Sequence, residues 1–232
     1  MKTLNYFKIA VVLLLTVSVF VSCDKDKDEE IDMDSLKFSE IKFSEIYKSS
    51  ANDDVSDVVI GDNSIHVTST KSLNNWHGVL LEDNEVEIGG SQTIEYTITK
   101  QTELARLMVG YLLKDDVTNF KKENNTYKYL FVYSQIFNSG ISVPYYTVSE
   151  RAFTVYYKDN KQAPNSNFDN YELGDRFKIV LKDKVIKYYK NDDLFFTDSR
   201  ELNSKVIPAI TFNNLSGGKT GEIEISDIKI SK

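Results

Sequence analysis

The sequence predicts an all-β chain folded as an antiparallel two-sheet β-sandwich. Three observations carry that expectation. Short apolar runs alternate with polar residues at period two along most of the chain. The connections between them are short and rich in Asn, Asp and Gly, as hairpins require. Tyr and Phe are abundant, 14 and 13, and no stretch has a convincing amphipathic helical pattern.

Met1–Ser22 has the layout of a secretory leader. Lys2 and Lys8 supply its basic start, and Ile9–Val21 is apolar except for Thr16 and Ser18. Those 13 residues are too few to cross a hydrocarbon core of roughly 30 Å as a helix. The leader ends in Phe20-Val21-Ser22-Cys23, which resembles the lipobox of bacterial lipoproteins, with Phe20 where Leu is usual. The resemblance implies cleavage before Cys23 and acylation of its thiol and new amino group. Several acyl chains on one residue hold a protein at a membrane where one would not. Cys23 is the chain's one cysteine, which excludes intramolecular disulfides.

Asp24-Lys25-Asp26-Lys27-Asp28-Glu29-Glu30 follows as a solvated spacer. It also resembles the surface-export tether of Bacteroidota lipoproteins, which implies an outer-membrane protein facing the exterior; the alternative is an anchor on the periplasmic face. The Asp24-x-Asp26-x-Asp28 spacing is no calcium loop, because Glu29 stands where Gly is needed and Ser35 where a bidentate Glu is needed. The expected organisation is a signal peptide over 1–22, a lipidated Cys and acidic tether over 23–56, and one domain over 57–232. Within the tether, Lys37-Phe38-Ser39-Glu40-Ile41 repeats as Lys42-Phe43-Ser44-Glu45-Ile46, and a strand is expected near Lys42–Tyr47.

From Asp57 the expected strands follow in order. Val58–Ile60 and Ile65–Thr68 flank a Gly61-Asp62-Asn63 turn, and Trp76–Glu82 comes next. Gln92–Lys100 alternates Ile94, Tyr96 and Ile98 with Glu95, Thr97 and Thr99. Leu104–Leu113 carries Gly110, which marks a bulge or a close backbone approach. Lys114–Asn125 reads as a polar loop. Tyr127–Ile136, Ile141–Val148 and Ala152–Lys158 follow, then a polar loop over Asp159–Asn170. A meander closes the sequence: Arg176–Lys182, Val185–Lys190, Leu194–Thr197, Val206–Asn213 and Gly221–Ile230. Apolar parity shifts between Ile223/Ile225 and Ile228/Ile230, so a bulge is expected near Ser226-Asp227.

The run Gly174-Asp175-Arg176-Phe177-Lys178-Ile179, then Lys187-Tyr188-Tyr189-Lys190-Asn191 and Leu194-Phe195-Phe196, resembles the concanavalin A-like jelly-roll superfamily. Trp76-x-Gly78 and Ile225–Ile230 are similar to that superfamily's first and last strands. Asp192 stands where its turn usually has Gly. The resemblance covers 57–232 and implies fold rather than activity.

Composition narrows the chemistry. Formal net charge is −7; without Lys2 and Lys8 it is 26 basic against 35 acidic residues, or −9. Such a surface repels nucleic acid, which is not expected as a partner. His66 and His77 are the two histidines, too few for a His-based metal site, and no cofactor or metal motif is present. Glu222-Ile223-Glu224-Ile225-Ser226-Asp227 resembles the E-x-D-x-x-E signature of laminarinase-type glycoside hydrolases, with its middle and last acids exchanged. The resemblance makes Glu222, Glu224 and Asp227 catalytic candidates, and retaining hydrolysis needs two carboxyls about 5–5.5 Å apart. The alternative is a solvent-facing strand surface kept polar. Asn138-Ser139-Gly140-Ile141 resembles a run in the keto-disaccharide hydrolase group of jelly rolls, or is a simple turn. Trp76, Tyr145 and Tyr146 are candidate sugar platforms, because aromatic faces stack on pyranose C–H faces; the alternative for each is packing.

The expected function is non-catalytic binding of a carbohydrate or another extracellular polymer. Two alternatives stand beside it: a hydrolase using Glu222 and Glu224, and an interaction subunit of a surface complex.

Overall fold

The computed structural model describes residues 38–39, 41, 45–47, 56–69, 77–122, 128–138, 141–143, 146–148, 151–198, 200–214 and 220–231. In chain order the described strands are β1 (Phe38–Ser39), β2 (Glu45–Tyr47), β3 (Ser56–Ile60), β4 (Ile65–Ser69), β5 (His77–Leu80), β6 (Gln92–Gln101), β7 (Ala105–Leu113), β8 (Leu130–Phe137), β9 (Ile141–Val143), β10 (Tyr146–Val148), β11 (Ala152–Tyr157), β12 (Lys161–Gln162), β13 (Asp169–Asn170), β14 (Arg176–Lys182), β15 (Val185–Lys190), β16 (Asp193–Asp198), β17 (Val206–Asn214) and β18 (Gly221–Ser231). One short helix, α1 (Val117–Lys122), lies between β7 and β8.

The strands form two antiparallel sheets. The first runs β16-β15-β14-β6-β18-β4-β3, with β1 beside β18. The second runs β12-β11-β8-β7-β17-β5-β2, with β13 beside β11. β9 and β10 make a separate hairpin. β1 and β2 lie inside the stretch expected as tether. Phe38 pairs with Ser231 in the first sheet, and Glu45–Tyr47 pairs with β5 in the second. Part of that stretch is therefore built into both sheets.

Alternation dictates which side chains meet. Ile94, Tyr96 and Ile98 of β6 and Phe177, Ile179 and Leu181 of β14 point between the sheets. Leu107, Val109 and Tyr111 of β7, and Ile210 and Phe212 of β17, meet them from the other side. The second sheet is apolar on its outer face too. Leu80, Met108, Leu112, Tyr133, Phe137, Ile207 and Ala209 form a second cluster there, joined by Val117 and Phe120 of α1. That explains α1, which sits where a polar loop was expected. One apolar pair at i, i+3 is too little to reveal a helix by period, yet it is enough to cover a sheet face.

The turns follow from side-chain chemistry. Asp183-Lys184 and Asn191-Asp192 both have positive φ at their two central residues, 49° and 68°, then 49° and 71°, as two-residue hairpin turns of primed type require. Asn191 tolerates this because Oδ1 accepts the Arg176 N–H at 2.9 Å and Nδ2 donates to Asp175 at 2.8 Å. Asp192, in the place of the usual Gly, accepts from Lys178 at 2.9 Å and from Arg176. The bulge expected near Ser226-Asp227 is present: the β18–β6 register shifts there and Asp227 takes φ 51°. The Ile228 N–H that follows bonds Asn63 O at 3.0 Å.

Gly110 is a close backbone approach. A Cβ at this position would lie 2.2 Å from Val132 O and 2.6 Å from Tyr133 Cα. Gly110→Ala is expected to cost about 2–3 kcal/mol of stability through overpacking, read from urea midpoints at unchanged m-value; a neutral outcome would show that β7 and β8 can separate.

Candidate functional site

The two sheets end side by side, with β16 at the rim of one and β12 at the rim of the other. Between these rims lies a groove of about 410 Å³, lined by Tyr157, Pro164, Asn165, Leu194, Phe195, Phe196 and Thr197. Its size falls within the usual range for small-molecule sites.

A bulge in β16 builds the apolar wall. Tyr188 pairs with Phe196 and Tyr189 with Leu194, so Phe195 is the extra residue. Its ring lies 4.4 Å from that of Phe153, and Leu194 stays 48% exposed on the rim. Opposite stands Tyr157, the last residue of β11, with Phe196 at 6.5 Å between ring centres. Asn165 holds the connector in a left-handed conformation, φ 62°. Asn165 and Thr197 add polar groups to the apolar lining.

An ion pair between the buried Asp198 and the half-buried Arg200 fixes Tyr157. The Asp198 carboxylate accepts from Arg200 N at 3.0 Å, Nε at 3.1 Å and Nη2 at 2.9 Å, and from Tyr157 OH at 3.2 Å. The guanidinium lies over the rings of Tyr157 (3.4 Å) and Phe131 (4.2 Å). It also donates to Phe131 O at 3.2 Å. That carbonyl is free because Phe131 is itself the extra residue of a bulge, between Leu130 and Val132. Burial, then the Asp198 carboxylate, hold the Tyr157 phenol above its usual range, so it is a neutral donor at ordinary pH.

Glu222 and Glu224 point outward from β18, opposite Thr68 and His66 of β4, while Ile223 and Ile225 point inward. Lys100 Nζ and His66 Nε2 each lie 2.7 Å from Glu222 Oε1. Lys100 first and His66 next hold this carboxyl below its usual value against the effect of burial. A carboxylate so held is a poor proton donor at neutral pH. The cavity bordering Glu222 measures about 10 Å³, too small for a sugar. Asp227 is exposed in its bulge, bonded by Ser226 Oγ at 3.3 Å. Asn138 is buried and donates to Gln101 O at 2.8 Å, a structural tie at the end of β8. Cys23, Trp76 and Tyr145 lie outside the described residues, as does the Tyr146 side chain; the Tyr146 backbone is in β10.

Sequence reading missed the groove. The one signal for it was Leu194-Phe195-Phe196, three apolar residues running where a half-exposed strand should alternate.

No protein-family model matches this chain, and no curated protein does. Solved structures do. The Emp47p carbohydrate recognition domain superposes with a TM-score of 0.55 at 11% identity, over 87% of this chain and 98% of that one. The Emp46p carbohydrate recognition domain, in its potassium-bound form, gives 0.50 at 12% identity, over 76% and 86%. At such identities the likeness shows the fold, which is the concanavalin A-like jelly roll.

The Lys100–Glu222–His66 cluster has a pH signature. A carboxyl with a lowered folded-state value stabilises above its unfolded value, near 4.5, and that contribution fades as pH falls through the lower folded value. Wild type is expected to exceed Glu222→Gln by less than ~1 kcal/mol at pH 7, with the gap closing below pH 4.5. Denaturant titrations at several pH values check this, and a gap that widens in acid would contradict it.

Proposed function

We propose that this chain is a non-catalytic carbohydrate-binding protein, carried on a lipid anchor at Cys23 and displayed at the outer membrane facing the exterior. The observation that carries the binding role is the open groove between the two rims. Its aromatic and apolar wall matches the C–H face of a pyranose, and Asn165 and Thr197 match its hydroxyls. The tie from Tyr157 to Asp198 and Arg200 preorganises that wall, which lowers the ordering cost of binding. Two solved structures with this fold are carbohydrate recognition domains, in line with the reading. A hydrolase role for Glu222 and Glu224 draws no support from the ion pairs or the small cavity at Glu222.

Phe195→Ala is expected to weaken glycan binding by about tenfold, the loss of one stacking contact, in calorimetry with glycans first selected on an array. Leu194→Asp disturbs the same groove from its exposed rim without touching the core, and is expected to weaken binding at unchanged Tm. Glu222→Gln is expected to leave binding intact. Binding insensitive to both groove variants would refute this location, and a blank array with co-purification of a partner protein would favour the interaction-subunit alternative. Cys23→Ser is expected to move the protein from the detergent-extracted membrane fraction to the soluble one and to abolish palmitate labelling.

A further inference from the structure

Among the described residues, the second sheet's outer face carries one cation with no counter-charge. Arg106, in β7, points to the same face as Met108 and Leu112, and is flanked in register by Asn213 of β17 and Phe137 of β8. It is half-buried. Its Nε–H is buried without a hydrogen-bond partner. Its guanidinium lies 5.7 Å above the Phe137 ring, a contact that offsets only part of the loss of hydration. Tyr156 is near, but burial raises that phenol, so it is neutral and no counter-ion. Burial without an anion lowers the Arg106 guanidinium to about 10, although Arg titrates less readily than any other side chain. On the next row of the same face, Thr211 Oγ1 is buried and likewise unpartnered. Two other cations here have acids, Arg200 with Asp198 and Lys178 with Asp192, while Arg151, elsewhere on the sheet, also has a buried Nε–H without a partner.

We infer that Arg106 is the anchor of a second ligand site, one that takes a single carboxylate. The planar fork of a guanidinium matches a carboxylate in bidentate fashion. A polyanion fits poorly, because the chain as a whole is strongly acidic. The carboxylate has two sources, a sugar acid or a small free organic acid. This site is independent of the groove at β16, and neither stands or falls with the other.

Thermal melts of the soluble protein at constant ionic strength test the assignment, with sodium glucuronate, acetate, sulfate and chloride as probes. Wild type is expected to gain Tm with glucuronate or acetate beyond the chloride baseline. In Arg106→Gln that gain vanishes, and the apparent Kd rises by about tenfold or more, the loss of a charge-assisted pair. Glucuronate acting more strongly than acetate identifies a sugar acid, and equal action identifies a small free acid; both support the site. If Arg106→Gln does not fold, Arg106→Lys and the Arg106 Nε–H NMR resonance of wild type replace it, with a carboxylate-specific shift expected. A Tm gain retained in Arg106→Gln, or one that sulfate or chloride reproduces, overturns the inference.

Discussion

Everything in this structure depends on the aromatic contact that joins the two sheets at Phe177. Its ring stacks on Tyr96 of the same sheet at 5.4 Å and meets Phe153 of the other sheet edge-on at 5.1 Å. Tyr171, from the β13–β14 connection, packs on it at 5.6 Å. Each of these rings removes a large apolar area from water, and their geometry adds to that gain. Phe153 also touches Phe195, so the wall of the groove is an outgrowth of the core. The site inherits its rigidity from the packing that makes the fold.

Charge is placed to suit. Where a carboxylate is deeply buried, as in Asp198, four hydrogen bonds surround it. Where carboxylates ride on the outer face of β18, lysine and histidine on neighbouring strands meet Glu222 at little cost in desolvation. Arg106 departs from that pattern, as do the buried Glu95 Oε1 and Arg151 Nε, but Arg106 alone of the three lies on the outer face of the second sheet.

Most strands were legible in the sequence because alternation is a local signal. The parity break in β18 located a bulge at Asp227, and Gly110 announced a close approach at β7. The helix α1 was not legible, since six residues hold too little periodicity. The groove was hidden for a different reason. It arises from the order of strands, which brings β16 of one sheet beside the connector after β12 of the other, and from a bulge at Phe195. Neither is a property of any single stretch. Candidates chosen by residue type, such as Glu222 and Glu224, share a face because they lie two residues apart on one strand, but their neighbours Lys100 and His66 come from strands far away in sequence.

The positions of β17 and β18 have a kinetic consequence. These two strands come last among those described, yet they fill the middles of both sheets, β17 between β7 and β5 and β18 between β6 and β4. A nascent chain emerging amino end first holds two gapped sheets until β17 and β18 appear. Loop closures between β4 and β18, or β5 and β17, span most of the domain and slow the search for native pairing. Pairing across the middles of both sheets is thus complete only once β17 and β18 have joined.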